Sequence, residues 1–426
     1  MKRLAALLLI AIMLTACCVG CGSQQETVRE PVEQTQEDKP YAGQELTVWT
    51  DYIVDTPVCD TVDAYVAKFE EMTGAKVNIS HYGADLSTIM YTALESGEDI
   101  DVFPVGNVML TSKQHLTLDL TDRILNSDVT ERTYPVLMDL IKTAAGDDTI
   151  RGIPTSSSFN AFWYNKAAFE AAGIEKNPET MEEFEAACDA LVAAGYTPIA
   201  LDSAYAIQYF GTHMERILGQ QTVGEMVRNG GFAENEAFVD ACQQLIDWVN
   251  KGYFDAKAPA EWPASQNKIG LTGECVMVYA GSWIPGEIEE MTGAELEWGC
   301  FKYPYAPGGN GTYGSVVSCS AQCINANTDT PDLAWEYIYY MYTGEANKAI
   351  TDADVVLVDD MTMDALPTYE EAKQVMMTTT DVTNYAGGMH DNADIKTSIN
   401  DLVLELYAGH FATGVEAAAA FDALVG

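Results

Sequence analysis

Apolar positions in the segment 45–50, ELTVWT, alternate with polar ones, and the residues are β-formers, which predicts a strand. The spacing then changes. Val62, Tyr65, Val66, Phe69 and Met72 recur at helical intervals, and Gly74 stands where a helix would stop. KVNISHY (76–82) returns to a strand pattern, Ile89, Met90, Ala93 and Leu94 to a helix, and DIDVFPV (99–105) to a strand. Strand, helix, strand, helix, strand predicts a parallel sheet with crossovers on its faces. A second α/β run starts after Ile153. AFWYN reads as a strand, and KAAFEAAGI as a short helix closed by Gly173. Met181, Phe184, Cys188, Leu191 and Val192 then mark one face of a helix, with Thr180 as N-cap and Glu183 three residues on. Further on, TPIALD (197–202) and CVMVYAG (275–281) read as strands around a helix at 235–251. SVVSCSAQCIN reads as a strand, PDLAWEYIYYMYTG as a helix with Pro331 in its first turn, and residues 365–424 as mostly helical.

The first 44 residues follow neither period. Lys2 and Arg3 precede an apolar run from Leu4 to Ala16, with the length and flanks of an export signal and too short for a stable membrane span. Leu14-Thr15-Ala16-Cys17 resembles the lipobox of bacterial lipoproteins, which implies cleavage before Cys17 and lipidation there, with Cys21 as the rival. The polar, Gln- and Glu-rich stretch to Gln44 reads as a flexible tether. A lipid, a tether and a body of about 380 residues describe a protein held on the outer face of a membrane. That length makes two domains the expectation. A net charge of −42 disfavours nucleic acid and anionic lipid as partners and otherwise serves solubility. Seven cysteines lie beyond the tether, an odd number with scattered spacing that implies no disulfide framework.

The chemical motifs of enzymes are weak or missing. Gly309, Gly311 and Gly314 spell G-x-G-x-x-G, but prolines precede them and a β-rich run follows, so they read as a mobile loop and not a dinucleotide site. The chain has no P-loop, no G-x-S-x-G elbow and no H-E-x-x-H. Its five histidines form no short-range ligand pair, and Cys319 and Cys323, four apart, have no second pair to complete a zinc site. No cofactor, no metal and no catalytic residue is expected. The stretch GIPTSSSFNAFWYNK (152–166) sets three serines before a run of aromatics. With no histidine near in sequence and no elbow around them, these serines read as binding groups.

Six segments in order resemble the extracellular solute-binding proteins of ABC importers, the sugar-binding family related to maltose-binding protein. They are LTVWT, FEEMTGAKVNI, YTALESGEDIDVF, GIPTSSSFNAFWYNKAAFEAAGI, PETMEEFEAACDALVAAGYTPIALD and GECVMVYAGSW. Ile100-Asp101 stands where Pro-Asp is usual, and Met181 where Trp is common. The resemblance implies an α/β, two-lobed fold of the type II periplasmic-binding-protein kind, with a ligand cleft between lobes joined by hinge strands. It implies residues 1–16 as signal peptide and 17–44 as tether. Residues 45–154 plus about 308–346 would form the first lobe, and 155–307 plus about 347–426 the second. It further implies a carbohydrate ligand, ABC permease subunits as partners, a monomer, and no catalysis. Candidate solute contacts are Asp51 and Tyr52 after the first strand, Asn107, Ser158 and Phe159 at the crossing, and Asp202, Tyr205, Trp283 and Tyr385 in the second lobe. Asp202 could equally cap the next helix, and at least one of Phe162 and Trp163 should be core. The rivals are a peptide or polyamine ligand on the same fold, or an exported glycosidase with paired carboxylates in the cleft.

Overall fold

The computed structural model describes residues 39–353, 363–364 and 368–425. The expected signal peptide, most of the tether, and Cys17 lie outside them. Eight strands carry the architecture: β1 (Glu45–Thr50), β2 (Lys76–His81), β3 (Val102–Gly106), β4 (Gly152–Asn165), β5 (Thr197–Ile199), β6 (Cys275–Gly281), β7 (Trp298–Phe301) and β8 (Val317–Ile324). Their order is β2-β1-β3-β8-β4-β6-β5, with β7 also paired to β4. β1, β2 and β3 are parallel, as the alternating pattern predicts, and so are β5 and β6. β8 runs antiparallel to both β3 and β4, and β4 is antiparallel to β6 and β7, so the sheet as a whole is mixed.

β4 joins the two lobes. Its first half, Gly152 to Phe159, pairs with β8 in the first lobe, and Asn160 to Asn165 pairs with β6 and β7 in the second. A register shift between Pro154 and Ser157 bends the strand at the serines. Beyond the bend the side chains alternate. Ala161 and Trp163 join the core that continues from the first lobe, while Phe162 and Tyr164 enter the second lobe's own core. Both Phe162 and Trp163 are therefore core, on opposite faces.

Local signals act as expected at several ends. Gly74 and Gly173 take positive φ after their helices, and Thr180 and Glu183 form a full capping box on the helix Met181–Ala193. Two expectations are corrected, and one helix is added. β5 is only three residues long, because the extended backbone beyond it, at Leu201 and Asp202, pairs with Ala260 and not with β6. The added helix is Ser203–Leu218; its apolar face carries Ala206, Ile207, Phe210, Met214 and Leu218, and its polar residues Gln208, Thr212, His213, Glu215 and Arg216 are buried as well. The expected lobe boundary near 346 falls inside the helix Gly344–Ala353, which packs on the first-lobe helix Pro57–Thr73.

The glycine loop 309–314 is held at many points. Arg216 is buried beside Glu215 and donates to the carbonyls of Tyr303, Thr312 and Gly314, while Glu215 accepts from the Thr312 amide. A Cβ on Gly311 would lie 2.0 Å from the Glu215 carbonyl oxygen, which is why glycine stands there. The glycines serve close packing of the chain's second crossing between lobes. The reading of a mobile loop does not fit this anchoring.

Candidate functional site

An open cavity of about 360 Å³ lies where the lobes meet. The first lobe contributes Gly106, Asn107 and Val108, from the end of β3 and the helix that follows. The crossing strands contribute Ser156, Ser157 and Ser158 of β4 and Ser318, Cys319 and Ser320 of β8. Trp283 closes the second-lobe side. A smaller hollow of about 230 Å³ shares Gly106 and Ser320 and extends to Asp51, Ser87 and Tyr91. The two together make a trough lined by hydroxyls, one indole, one phenol and one carboxylate. Among the described residues, no Lys, Arg or His lines either part.

β4–β8 pairing brings the hydroxyls together. Ser158 sits opposite Ser318, and their Oγ atoms are 2.8 Å apart. Asn107 accepts from the Cys319 amide through Oδ1 at 3.1 Å, which ties the helix start to β8. Trp283 is set by its neighbour: its ring lies against the Cα of Gly281, where a Cβ would be 1.8 Å from Cζ3. Behind it stands Tyr205, whose hydroxyl is pushed up to about 12 by burial and by the charge of Glu287, while the indoles of Trp283 and Trp262 act the other way. Glu287 accepts from Trp262 Nε1 at 3.2 Å and from the Gln266 amide.

The residues expected to touch a solute divide. Asp51, Asn107, Ser158 and Trp283 line the trough. Crowding by the wall around Asp51 raises its carboxyl above the usual range. Tyr52 does not line it; its ring packs on the first-lobe core and edge-on to His81. Phe159 is corrected to a core residue, 1% exposed and packed on Trp163, because the bend at the serines turns it inward. Asp202 is also corrected. It is fully buried and accepts the amides of Ser265 and Gln266 at 2.8 and 2.9 Å, so it anchors the 260–266 loop. It makes no side-chain bond as a helix cap either. Burial raises its carboxyl, and those two amides oppose the rise. Tyr205 is buried behind Trp283. Tyr385 is outside the trough and donates to the Ala204 carbonyl at 3.1 Å.

Sequence reasoning missed Ser318 and Ser320. Their signal was present, because in β8 they alternate with buried Val317, Cys319 and Ala321. Trp262, 43% exposed beside Glu287, had none, since its segment is irregular. The seven cysteines beyond the tether are all buried and unpaired.

Residues 64–358, over half the chain, match the family described as bacterial extracellular solute-binding protein. No curated protein matches the chain at a significant level. Among solved structures, apo RafE from Streptococcus pneumoniae is 19% identical, covering 90% of this chain and 97% of that one, with a TM-score of 0.67. AcbH, a bacterial solute receptor with a preference for β-D-galactopyranose, is 14% identical over 90% of this chain and 97% of its own, with a TM-score of 0.68. A chitin oligosaccharide binding protein is 18% identical over 89% and 98%, with a TM-score of 0.61. At these identities the solved structures establish the shared two-lobed fold, and the family match establishes membership: the chain belongs to the bacterial extracellular solute-binding proteins.

Proposed function

We propose that this protein captures a neutral carbohydrate, of oligosaccharide size, by closing its lobes, and delivers it to an ABC permease while tethered to the membrane by a lipid on Cys17. The observation that carries the reading is the composition of the trough. An indole face can stack on the C–H surface of a sugar ring, and a row of serine hydroxyls with an amide and a carboxylate can bond its hydroxyls. The absence of cations from the lining disfavours anionic solutes. Among the described residues a single carboxylate, Asp51, lines the trough, short of the pair that glycoside hydrolysis needs, which favours binding without turnover. It also falls short of the several acids a polyamine would engage. Related folds add support: RafE, which shares this fold with a TM-score of 0.60, has been solved with raffinose bound.

The test is a saccharide panel read by thermal shift and small-angle scattering. One sugar should bind one-to-one, raise the melting temperature and contract the protein, with no cleavage products. A broad panel that gives no shift, or a shift for polyamines alone, would reject the reading. For the anchor, Cys17→Ser should abolish fatty-acid labelling and release the protein from membranes. Retained labelling would move the lipid to Cys21.

A further inference from the structure

Outside the trough, one cluster of side chains has a donor set that the proposed function does not use. β1 and β2 pair in register so that Thr50 lies opposite His81. The helix Pro57–Thr73 passes over this strand end and presents Cys59 and Asp63, one turn apart and so on one face. The result is a thiol, a carboxylate and an imidazole whose ligand atoms all lie within 4.8 Å of one another. His81 Nε2 is 3.0 Å from Asp63 Oδ1, and His81 Nδ1 is 2.6 Å from Thr50 Oγ1.

We propose that Cys59, Asp63 and His81 form a site for one thiophilic divalent cation of the zinc type, with a water in the fourth position. Bonds of about 2.0–2.1 Å to N and O and about 2.3 Å to S place tetrahedral ligand atoms roughly 3.3–3.6 Å apart. The Nε2–Oδ1 spacing is already close to that, and the thiol needs only a small side-chain movement. Thr50 completes the arrangement. With the ion bound, Nδ1–H donates to the Thr50 hydroxyl and Nε2 is left to ligate, the role an outer partner plays in zinc sites. Thr50 is itself fully buried, so that partner is fixed in place. Asp55 and Asp60 add negative charge around Cys59, and Asp63, with its side chain half exposed, gives the ion a route in. Binding takes the thiol as thiolate, and its proton leaves to solvent. The ion would brace the segment between β1 and the helix, which carries Asp51 and Tyr52; the Tyr52 ring already lies edge-on to His81.

Cobalt(II) is the probe, added to the full chain after chelation. Expected are one equivalent bound, visible absorption of tetrahedral intensity and a near-ultraviolet thiolate charge-transfer band. Zinc should displace the cobalt and raise the melting temperature. Cys59→Ser should abolish the charge-transfer band and weaken zinc more than tenfold. Asp63→Asn, on the exposed member, should weaken it about 10- to 100-fold with the fold intact by circular dichroism. A charge-transfer band that persists in Cys59→Ser would assign the metal to another thiol and overturn the site. So would the absence of any band in the parent chain, or zinc affinity unchanged by Asp63→Asn. Sugar affinity is read separately, so failure here leaves the proposed function standing.

Discussion

The position of Trp283 should depend on the missing side chain of Gly281. In Gly281→Ala the new Cβ would lie 1.8, 2.2 and 2.3 Å from three ring atoms of Trp283. Carbon atoms pack at about 3.5–4.0 Å, so ring and backbone must separate by roughly 1.5–2 Å. The backbone is the stiffer of the two. Gly281 ends β6 and pairs with Asn160 of β4, so the indole is what moves. Overpacking of this kind costs about 1–3 kcal/mol in a core, and the half-buried indole puts the expected loss of stability at the lower end. Affinity should suffer more. A displaced indole no longer offers its face to the trough, and losing a central aromatic platform is worth about 1.5–3 kcal/mol, or roughly 10- to 100-fold. The assay is a double-mutant cycle by calorimetry with the sugar found in the panel. Trp283→Ala should weaken binding about as much as Gly281→Ala. In the Trp283→Ala background, Gly281→Ala should change affinity by less than about 0.5 kcal/mol. Additive losses, or a Gly281→Ala protein with full affinity, would refute the claim that the glycine acts through the ring.

Other expectations follow from single contacts. Ser158→Ala and Ser318→Ala should each weaken sugar binding by about 0.5–1.5 kcal/mol, measured by calorimetry, with little change in melting temperature. Asp422→Ala should lower stability by about 2–3 kcal/mol in urea unfolding, because its carboxylate accepts the amides of Gly231, Phe232 and Ala233. Burial holds His213 down at about 3, so it folds neutral. Between pH 6.5 and 3 only the unfolded chain takes up its proton, and stability should fall with pH by about 1.4 kcal/mol per unit; His213→Gln should flatten that slope. Burial raises Asp51 and Asp202 in the folded protein, so their contributions have the opposite sign. They are most stabilising below the ordinary carboxylate value and are lost as pH rises through the raised one, and Asp51→Asn should remove its share in the same titration.

Legibility in the sequence followed physical scale. Where one face is wet and the other dry, the period is written in the chain, so β1, β2, the helix Pro57–Thr73 and the helix Met181–Ala193 were readable, together with their caps. The helix Ser203–Leu218 was passed over although its apolar period is present at Ala206, Ile207, Phe210, Met214 and Leu218; what the sequence does not show is that its polar residues, Arg216 and Glu215 among them, are buried too. Phe159 and Asp202 failed for a related reason. Each follows a strand-like run, where a solute contact is plausible, but a bulge at Pro154–Ser157 rotates one inward and a distant loop claims the other's oxygens. Neither event has a local signature. The cluster of Cys59, Asp63 and His81 was invisible for another reason: its spacing exists only once the helix Pro57–Thr73 packs over the end of β2.

The serines that line the trough also sit on the strands that join the lobes. β4 and β8 are paired there, β4 is bulged there, and Ser158 faces Ser318 across the pair. A bulge leaves ladder groups unpaired and is a natural place for a strand pair to bend. Closure that bends β4 and β8 at this point would move Trp283 relative to Asn107, since the first rides on β6 and the second on the helix after β3. A solute bonded to the serines and touching both would therefore be bound at the pivot and gripped from either side. Affinity for the closed state then comes from contacts that exist only when the lobes approach, which is the differential interaction that a ligand-driven conformational change requires. This ties closure to the trough, so substitutions at Trp283 should weaken binding and scattering contraction together. Substitutions at Ser158 should weaken binding while the residual complex still closes.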